Sequence, residues 1–334
     1  MSDGIESVGV LGAGAWGTAL AAVVARKGLK TVLAAREAEV VSDINRNRTN
    51  SLFLEGVTLP DGIVATQTPA DVLGCDLVLQ VTPSQFMRAS LEPLSGDWPP
   101  GLPLVLCCKG VETGSGALMT DVARQALGPG VPLAVLSGPT FAGEVAAGLP
   151  TALTLAMTDK AEAHRLAQAL AAPAFRVYAG DDLVGSEVGG AVKNVLAIAC
   201  GIVEGRGLGD NARAALITRG IAEISRLGLA LGAKPETLMG LSGIGDITLT
   251  CNAMQSRNFS LGAALGKGET LSDILNSRRT VAEGVATAAS VVALGARHGV
   301  ELPIAGAVNA ILHEGADINQ TIQALLSRPL KAEG

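Results

Sequence analysis

The chain has 334 residues, with 31 Asp and Glu against 25 Lys and Arg for a net charge of −6, and a pI near 5.2. The basic residues are scattered rather than massed, which argues against nucleic acid or an anionic membrane surface as main partner and favours a small ligand. Aromatic residues make up only 2%, so Ala, Val, Leu and Ile must build the core, and the length suggests two domains.

Asp3 and Glu6 come before any apolar run, so the first residues do not read as a signal peptide. Val8-Gly9-Val10-Leu11 is an apolar run of the kind that forms a buried strand. It meets Gly12-Ala13-Gly14-Ala15-Trp16-Gly17, then an Ala/Leu/Val-rich helical stretch to about Arg26. Strand, G-x-G-x-x-G and helix together predict a dinucleotide site. Gly12 permits the tight turn, Gly14 lets the backbone approach a pyrophosphate, and Gly17 lets the helix pack on its strand. The free N–H groups of the helix start then face the anion.

A second strand is predicted over 30–35, with Arg36 at its end. An acid there would bind the ribose 2′-hydroxyl of NAD, whereas Arg can pair with the 2′-phosphate of NADP. Arg36 therefore tilts the expectation towards NADP, while Glu37 leaves room for NAD. Arg36 also fits a solvated residue opening a charged helix with Glu37 and Glu39. Residues 43–68 are polar and turn-rich, with a short strand at 63–66. Phe53 in this loop either covers a nicotinamide or anchors the loop.

Nearly apolar strands follow over 76–82, 104–108 and 133–137, then 151–157 and 175–178, with helices over 116–127 and 160–171. Strands alternating with helices predict a parallel, doubly wound sheet. Beyond Gly180 strand patterns vanish and helical windows succeed one another over 183–205, 212–231, 280–298, 304–312 and 319–326. The expected organisation is α/β plus all-α: a Rossmann-type dinucleotide-binding domain over 1–186 and an all-helical substrate-binding domain over 187–334. Mean hydropathy is +0.40, but Lys193 and Asn194 interrupt the longest apolar stretch, 188–203, so no membrane insertion is expected. Cys75, Cys107, Cys108, Cys200 and Cys251 form no C-x-x-C and are odd in number. Free thiols in a reducing cytosol, hence a cytoplasmic protein, are the natural reading.

Ligands of an open α/β sheet lie outside the carboxyl ends of its strands. Lys109 and Ser137-Gly138-Pro139-Thr140 both follow strands, so both sit at that end. A Lys there can point at a phosphate or a carbonyl oxygen, or simply reach water. Lys193 lies in Val188-Gly-Gly-Ala-Val-Lys193-Asn194-Val, a helix apolar on nearly every side, where an ammonium costs several kcal/mol to bury. It must cap a hidden carboxylate or perform chemistry, and desolvation would lower its pKa towards the proton-exchanging range. Gly189 and Gly190 are expected to leave space beside it for a substrate.

Ser242-Gly243-Ile244-Gly245-Asp246 places an acid in a glycine-rich turn, and Ser256-Arg257-Asn258 precedes a helical run. Ser and Asn donors, an Arg fork and a helix start make a phosphate cradle, although a plain N-cap would explain Ser256 or Asn258 alone. Glu283, by sequence alone, is an ordinary first-turn helix acid. His164, His298 and His313 fall away from all these segments, which disfavours a His-Asp dehydrogenase, and no cluster has metal-ligand spacing.

With these segments assembled, the chain resembles bacterial NAD(P)-dependent sn-glycerol-3-phosphate dehydrogenases over nearly its whole length. The resemblance rests on Gly12-Ala-Gly-Ala-Trp16-Gly-Thr-Ala-Leu, Cys108-Lys109-Gly110, Leu136-Ser-Gly138-Pro-Thr140-Phe-Ala142, Gly190-Ala-Val-Lys193-Asn194-Val, Gly243-Ile-Gly-Asp246 and Ser256-Arg257-Asn258. It implies that Lys193 is the proton acceptor and that Lys109, Gly138, Thr140, Asp246, Ser256, Arg257 and Asn258 hold a phosphorylated triose. It further implies that Ala15, Trp16, Arg36, Lys109, Ala142, Arg257, Val281 and Glu283 line the NADP or NAD site. The family would supply glycerol 3-phosphate for phospholipid synthesis, as a homodimer. Asn50-Ser-Leu-Phe-Leu54 departs from the Tyr-Leu-Pro-like sequence usual there.

Two other readings compete. A β-hydroxyacid or 6-phosphogluconate-type dehydrogenase shares the plan but carries Lys-x-x-Asn, whereas here Asn194 directly follows Lys193 and Leu196 stands at the third position. A non-catalytic dinucleotide sensor would explain the glycine loop, but neither Lys193 nor Ser256-Arg257-Asn258.

Overall fold

The computed structural model describes residues 4–278 and 282–329. Strands β1 (Ser7–Leu11), β2 (Lys30–Ala34), β3 (Ile63–Thr66), β4 (Leu77–Gln80), β5 (Leu104–Leu106), β6 (Leu133–Ser137), β7 (Thr151–Met157) and β8 (Phe175–Gly180) form one sheet. Its order is β3-β2-β1-β4-β5-β6-β7-β8, so the direction of winding reverses between β1 and β4. Leu11 pairs with Ala34 on one side and Gln80 on the other, which brings three strand ends together at that switch point. The helices among these strands are α1 (Ala15–Arg26), α2 (Ala38–Asn47), α3 (Met87–Leu91), α4 (Met119–Leu127), α5 (Ala142–Ala146) and α6 (Lys160–Leu170).

Central strands such as β4, β5 and β6 are buried at every position, which is why they read as unbroken apolar runs rather than alternating ones. One face packs on Ala19–Val24 of α1 and Leu166 of α6. The other packs on Met87 and Leu91 of α3 and Val122 of α4. The expectation of a parallel sheet needs one correction: β6 and β7 are antiparallel. Their connection contains only the five-residue α5, short of the packed crossover helix that a parallel return uses.

Among the described residues helices alone follow: α7 (Leu183–Gly205), α8 (Asp210–Ala230), α9 (Pro235–Leu238), α10 (Asp246–Thr250), α11 (Arg257–Lys267), α12 (Leu271–Asn276), α13 (Glu283–Arg297), α14 (Pro303–His313) and α15 (Ile318–Leu326). Helix α7 is long and apolar enough to cross a membrane by composition, yet 89% of its most apolar window is buried inside the protein. It is the axis of a second core that includes Ile224, Leu227, Phe259, Val291 and Val308.

Helices α7 and α11 meet backbone to backbone. A Cβ on Gly201 would lie 2.0 Å from the Phe259 carbonyl oxygen, and one on Gly262 would lie 2.1 Å from that of Ile198. Small residues spaced four apart, Gly201 and Gly205 on one helix and Gly262 and Gly266 on the other, permit this approach. It sets the N-terminus of α11 beside the middle of α7.

Candidate active site

The glycine loop opens a cleft of about 1230 Å³. Gly12 has a φ of +107°, and a Cβ there would lie 2.9 Å from the Thr82 amide nitrogen at the end of β4. A Cβ on Gly17 would lie 1.8 Å from the Gly12 carbonyl oxygen, so α1 could not start this close to its strand with any larger residue. A Cβ on Gly14 would meet nothing within 4 Å, which leaves this part of the loop open to a ligand. Helix α1 has no side-chain cap at Gly14, so its first N–H groups face the cleft.

Opposite the loop stands a charge cluster drawn from three elements. Lys193, on α7 and 6% exposed, donates to Asp246 Oδ1 at 2.5 Å and to Thr250 Oγ1 at 2.8 Å. Lys109, just past β5, donates to Asp246 Oδ2 at 2.5 Å and to the Gly138 carbonyl at 3.2 Å. Asp246 is wholly buried, so two ammonium groups share one carboxylate away from water. Burial pulls the Lys193 ammonium down to about 8, the Asp246 carboxylate opposes that shift, and the Lys109 charge adds to it.

The glycine-rich segment around Asp246 is helical, not the break between helices that its composition suggested. Leu241–Gly245 forms a π-helical turn that runs directly into α10. Gly189 and Gly190 also play another part than expected. A Cβ on Gly189 would lie 2.5 Å from the Ser242 carbonyl oxygen, and one on Gly190 would lie 3.2 Å from Lys109 Cγ and from Ser137 Oγ. The room beside α7 is filled by the π-helical turn and the Lys109 stem, not left for a substrate.

Ser256 caps α11, accepting from the Phe259 N–H at 3.2 Å, which leaves its own hydroxyl hydrogen to donate. Asn258 is a joint: it donates to Asn194 Oδ1 at 3.0 Å and accepts from the Gly284 N–H at 2.9 Å. Arg257 lies exposed between them. Glu283 exceeds its ordinary reading, since its Oε1 accepts from the Ser84 N–H at 3.0 Å and ties α13 to the segment after β4. Burial raises its pKa, against that hydrogen bond.

Gly12, Gly14, Ala15, Trp16, Gly17, Arg36, Lys109, Thr140, Ala142, Lys193, Ser256, Arg257, Asn258 and Glu283 all line the one cleft. Asp246 stands behind the two lysines, and Gly138 meets Lys109 through its carbonyl. Val281 lies outside the described residues. The Arg36 side chain is 91% exposed and pairs with Glu37 at 2.9 Å. Phe53 is anchored against the sheet core and also borders the cleft. Sequence reasoning missed Thr250; its place four residues after Asp246 on a helix was the available signal.

Two family descriptions match the chain: NAD-dependent glycerol-3-phosphate dehydrogenase N-terminus over residues 7–163 and C-terminus over 182–323. The protein named glycerol-3-phosphate dehydrogenase [NAD(P)+] in Caulobacter vibrioides is 57% identical over 328 residues, covering 98% of this chain and 99% of that one. Its Rhodospirillum rubrum namesake is 57% identical over 335 residues, covering 100% and 96%. The crystal structure of glycerol-3-phosphate dehydrogenase from Coxiella burnetii superposes with a TM-score of 0.93 at 40% identity, covering 97% of this chain and 99% of that one.

Proposed function

The chain belongs to the family of NAD-dependent glycerol-3-phosphate dehydrogenases, and from that premise we propose how its residues divide the work. It is an oxidoreductase that reduces dihydroxyacetone phosphate to glycerol 3-phosphate with NAD(P)H. The cleft fits the cofactor: an open glycine loop and uncapped helix start suit a pyrophosphate. Ala15, Trp16, Arg36, Ala142, Arg257 and Glu283 would hold it, and when bound it supplies the hydride.

Lys193 is the proton donor in reduction and the acceptor in oxidation. The observation that carries this role is its ammonium, buried in α7 yet bordering the cleft and held at 2.5 Å by Asp246. As the substrate carbonyl gains hydride, its oxygen becomes an alkoxide, and Lys193 neutralises it by giving up one proton. Lys109, Thr140, Ser256, Arg257 and Asn258 orient the phosphorylated substrate, with Gly138 and Asp246 fixing Lys109. Two ammonium groups against one buried carboxylate leave a positive surplus that suits a dianionic phosphate.

The test is Lys193→Met. NAD(P)H consumption with dihydroxyacetone phosphate should fall by at least the roughly 10²–10⁴-fold that a positioned general acid supplies, while NAD(P)H affinity is retained. Wild-type turnover in that variant would refute the role. The wider reading assigns cofactor binding to residues 1–186 and substrate binding to 187–334. The enzyme works as a cytoplasmic homodimer, prefers NADPH through Arg36, and supplies glycerol 3-phosphate for glycerophospholipid synthesis.

A further inference from the structure

The loop after α2 carries a buried amide that the reaction as described does not use. Asn50 is 1% exposed, and its Nδ2 donates to the Ala13 carbonyl at 2.9 Å and to Thr18 Oγ1 at 2.8 Å. Thr18, itself wholly buried, donates its hydroxyl to the same Ala13 oxygen at 3.2 Å. The Asn50 Oδ1 accepts from the Phe53 N–H at 3.2 Å. Every polar group of the Asn50 side chain is therefore committed, one arm to the glycine loop, one to Thr18 of α1 and one to the residue that borders the cleft.

A second group holds Asn50 in that pose. Asp43 of α2 accepts from Thr49 Oγ1 and from the Ser51 N–H, each at 2.8 Å, on either side of Asn50. Those bonds, led by the Ser51 N–H, together with one from Asn47 Nδ2, lower the Asp43 carboxyl to about 2. A side chain fixed from behind and satisfied at each atom acts as a strut.

Its target gives the strut a function. Ala13 lies between Gly12 and Gly14, and a trans peptide points its C=O and its N–H in opposite directions. Two buried donors hold the Ala13 carbonyl inward, so the trans peptide turns the N–H of Gly14 the opposite way, and Gly14 itself lines the cleft with nothing within 4 Å of where its Cβ would stand. We propose that Asn50 and Thr18 are positioning residues for the cofactor: they clamp the Ala13 carbonyl so that the Gly14 N–H stays aimed at the pyrophosphate. Phe53, hung from the same amide, is held at the cleft wall. With Gly14 on one side, this peptide is otherwise free to rotate, and the clamp removes that freedom before the ligand arrives.

This inference rests on the dinucleotide reading of the glycine loop, and the experiment separates the two. NADPH is titrated into the full chain by fluorescence, beside adenosine 2′,5′-bisphosphate, which has the adenosine end but no pyrophosphate. Asn50→Asp keeps the shape and removes both donors; Thr18→Val keeps the shape and removes the hydroxyl. Each should weaken NADPH by about 10-fold, the worth of one hydrogen bond, and change the bisphosphate by less than about 2-fold. Thr18→Ser should recover most of the loss seen in Thr18→Val. In turnover the loss should fall on the KM for NADPH and spare kcat. Unchanged NADPH binding in both Asn50→Asp and Thr18→Val, or equal weakening of both ligands, overturns the clamp. A wild-type chain that binds no NADPH overturns the parent reading, and the clamp with it.

Discussion

Lys193 and Asp246 are 53 positions apart in the chain and 2.5 Å apart in the structure. The pair sets the protonation of the proposed acid. Burial lowers the Lys193 ammonium to about 8, and the Asp246 carboxylate keeps it from falling further.

That balance predicts the pH profile. Reduction needs Lys193 protonated, so its kcat should fall as pH rises above about 8, and the oxidation rate should rise through the same point. Asp246→Asn removes the charge that supports the ammonium, so the falling limb should move to lower pH and overall activity should drop. Steady-state rates in both directions across pH measure this. A limb in the same place in Asp246→Asn would show that the carboxylate does not govern the proton.

Gly190 makes a second prediction, through Lys109. A Cβ at this position would lie 3.2 Å from Lys109 Cγ and 3.3 Å from Cδ, so Gly190→Ala must push the Lys109 stem aside. The expected result is a KM for dihydroxyacetone phosphate raised several-fold, on the order of 1 kcal/mol of binding lost, with NADPH affinity unchanged. An unaltered KM would mean that the stem relaxes at no cost to the substrate.

The local pieces of this site were legible in the sequence because each is contiguous. A buried strand followed by G-x-G-x-x-G reports its own turn geometry, and a lysine in an apolar helix reports its own desolvation. The pairing of Lys193 with Asp246 and Thr250 was not legible, since it depends on how α10 packs on α7. Gly189 and Gly190 misled for the same reason: absence of a side chain shows that something approaches, not what. The antiparallel β7 was hidden because apolar strands carry no mark of direction. Asn50 falls in the polar, turn-rich stretch 43–68, where nothing in the sequence marks it, and only its burial reveals what it holds.

Glu187 adds a prediction about stability. It is buried in α7, accepts from the Thr120 N–H at 2.8 Å and from its hydroxyl at 2.7 Å, and burial pushes its carboxyl up to about 7 from 4.5. A group whose folded pKa is raised contributes stability that is complete below the unfolded value and lost as pH rises through the folded one. The window therefore runs from about pH 4.5 to about pH 7, and the change is on the order of 3 kcal/mol at most. Glu223 is raised to about 7 by burial as well, so it contributes in the same direction. Asp43 and Asp181, both lowered to about 2, titrate below this window. The melting temperature should fall between about pH 5 and about pH 7, and Glu187→Gln should remove part of that fall. A melting temperature that rises across the window would contradict the assignment.

The choice between cofactors turns on Arg36 and its neighbour. At the end of β2 the Arg36 guanidinium is almost fully exposed, borders the cleft and pairs with Glu37 at 2.9 Å. A surface pair whose guanidinium stands in solvent is weak, about 0–1 kcal/mol, so a 2′-phosphate can compete with Glu37 for the guanidinium. Arg36→Asp should lower kcat/KM for NADPH by about 10-fold or more, through lost pairing and added repulsion, and leave NADH much less affected. Glu37→Ala frees the guanidinium and should move the preference the other way, further towards NADPH. Steady-state kinetics with both cofactors on the wild type and the two variants measure this. If the NADPH to NADH ratio stays fixed in Arg36→Asp, the 2′-phosphate is not read at the end of β2, and the exposed Arg36 and half-buried Glu37 are no more than a surface pair.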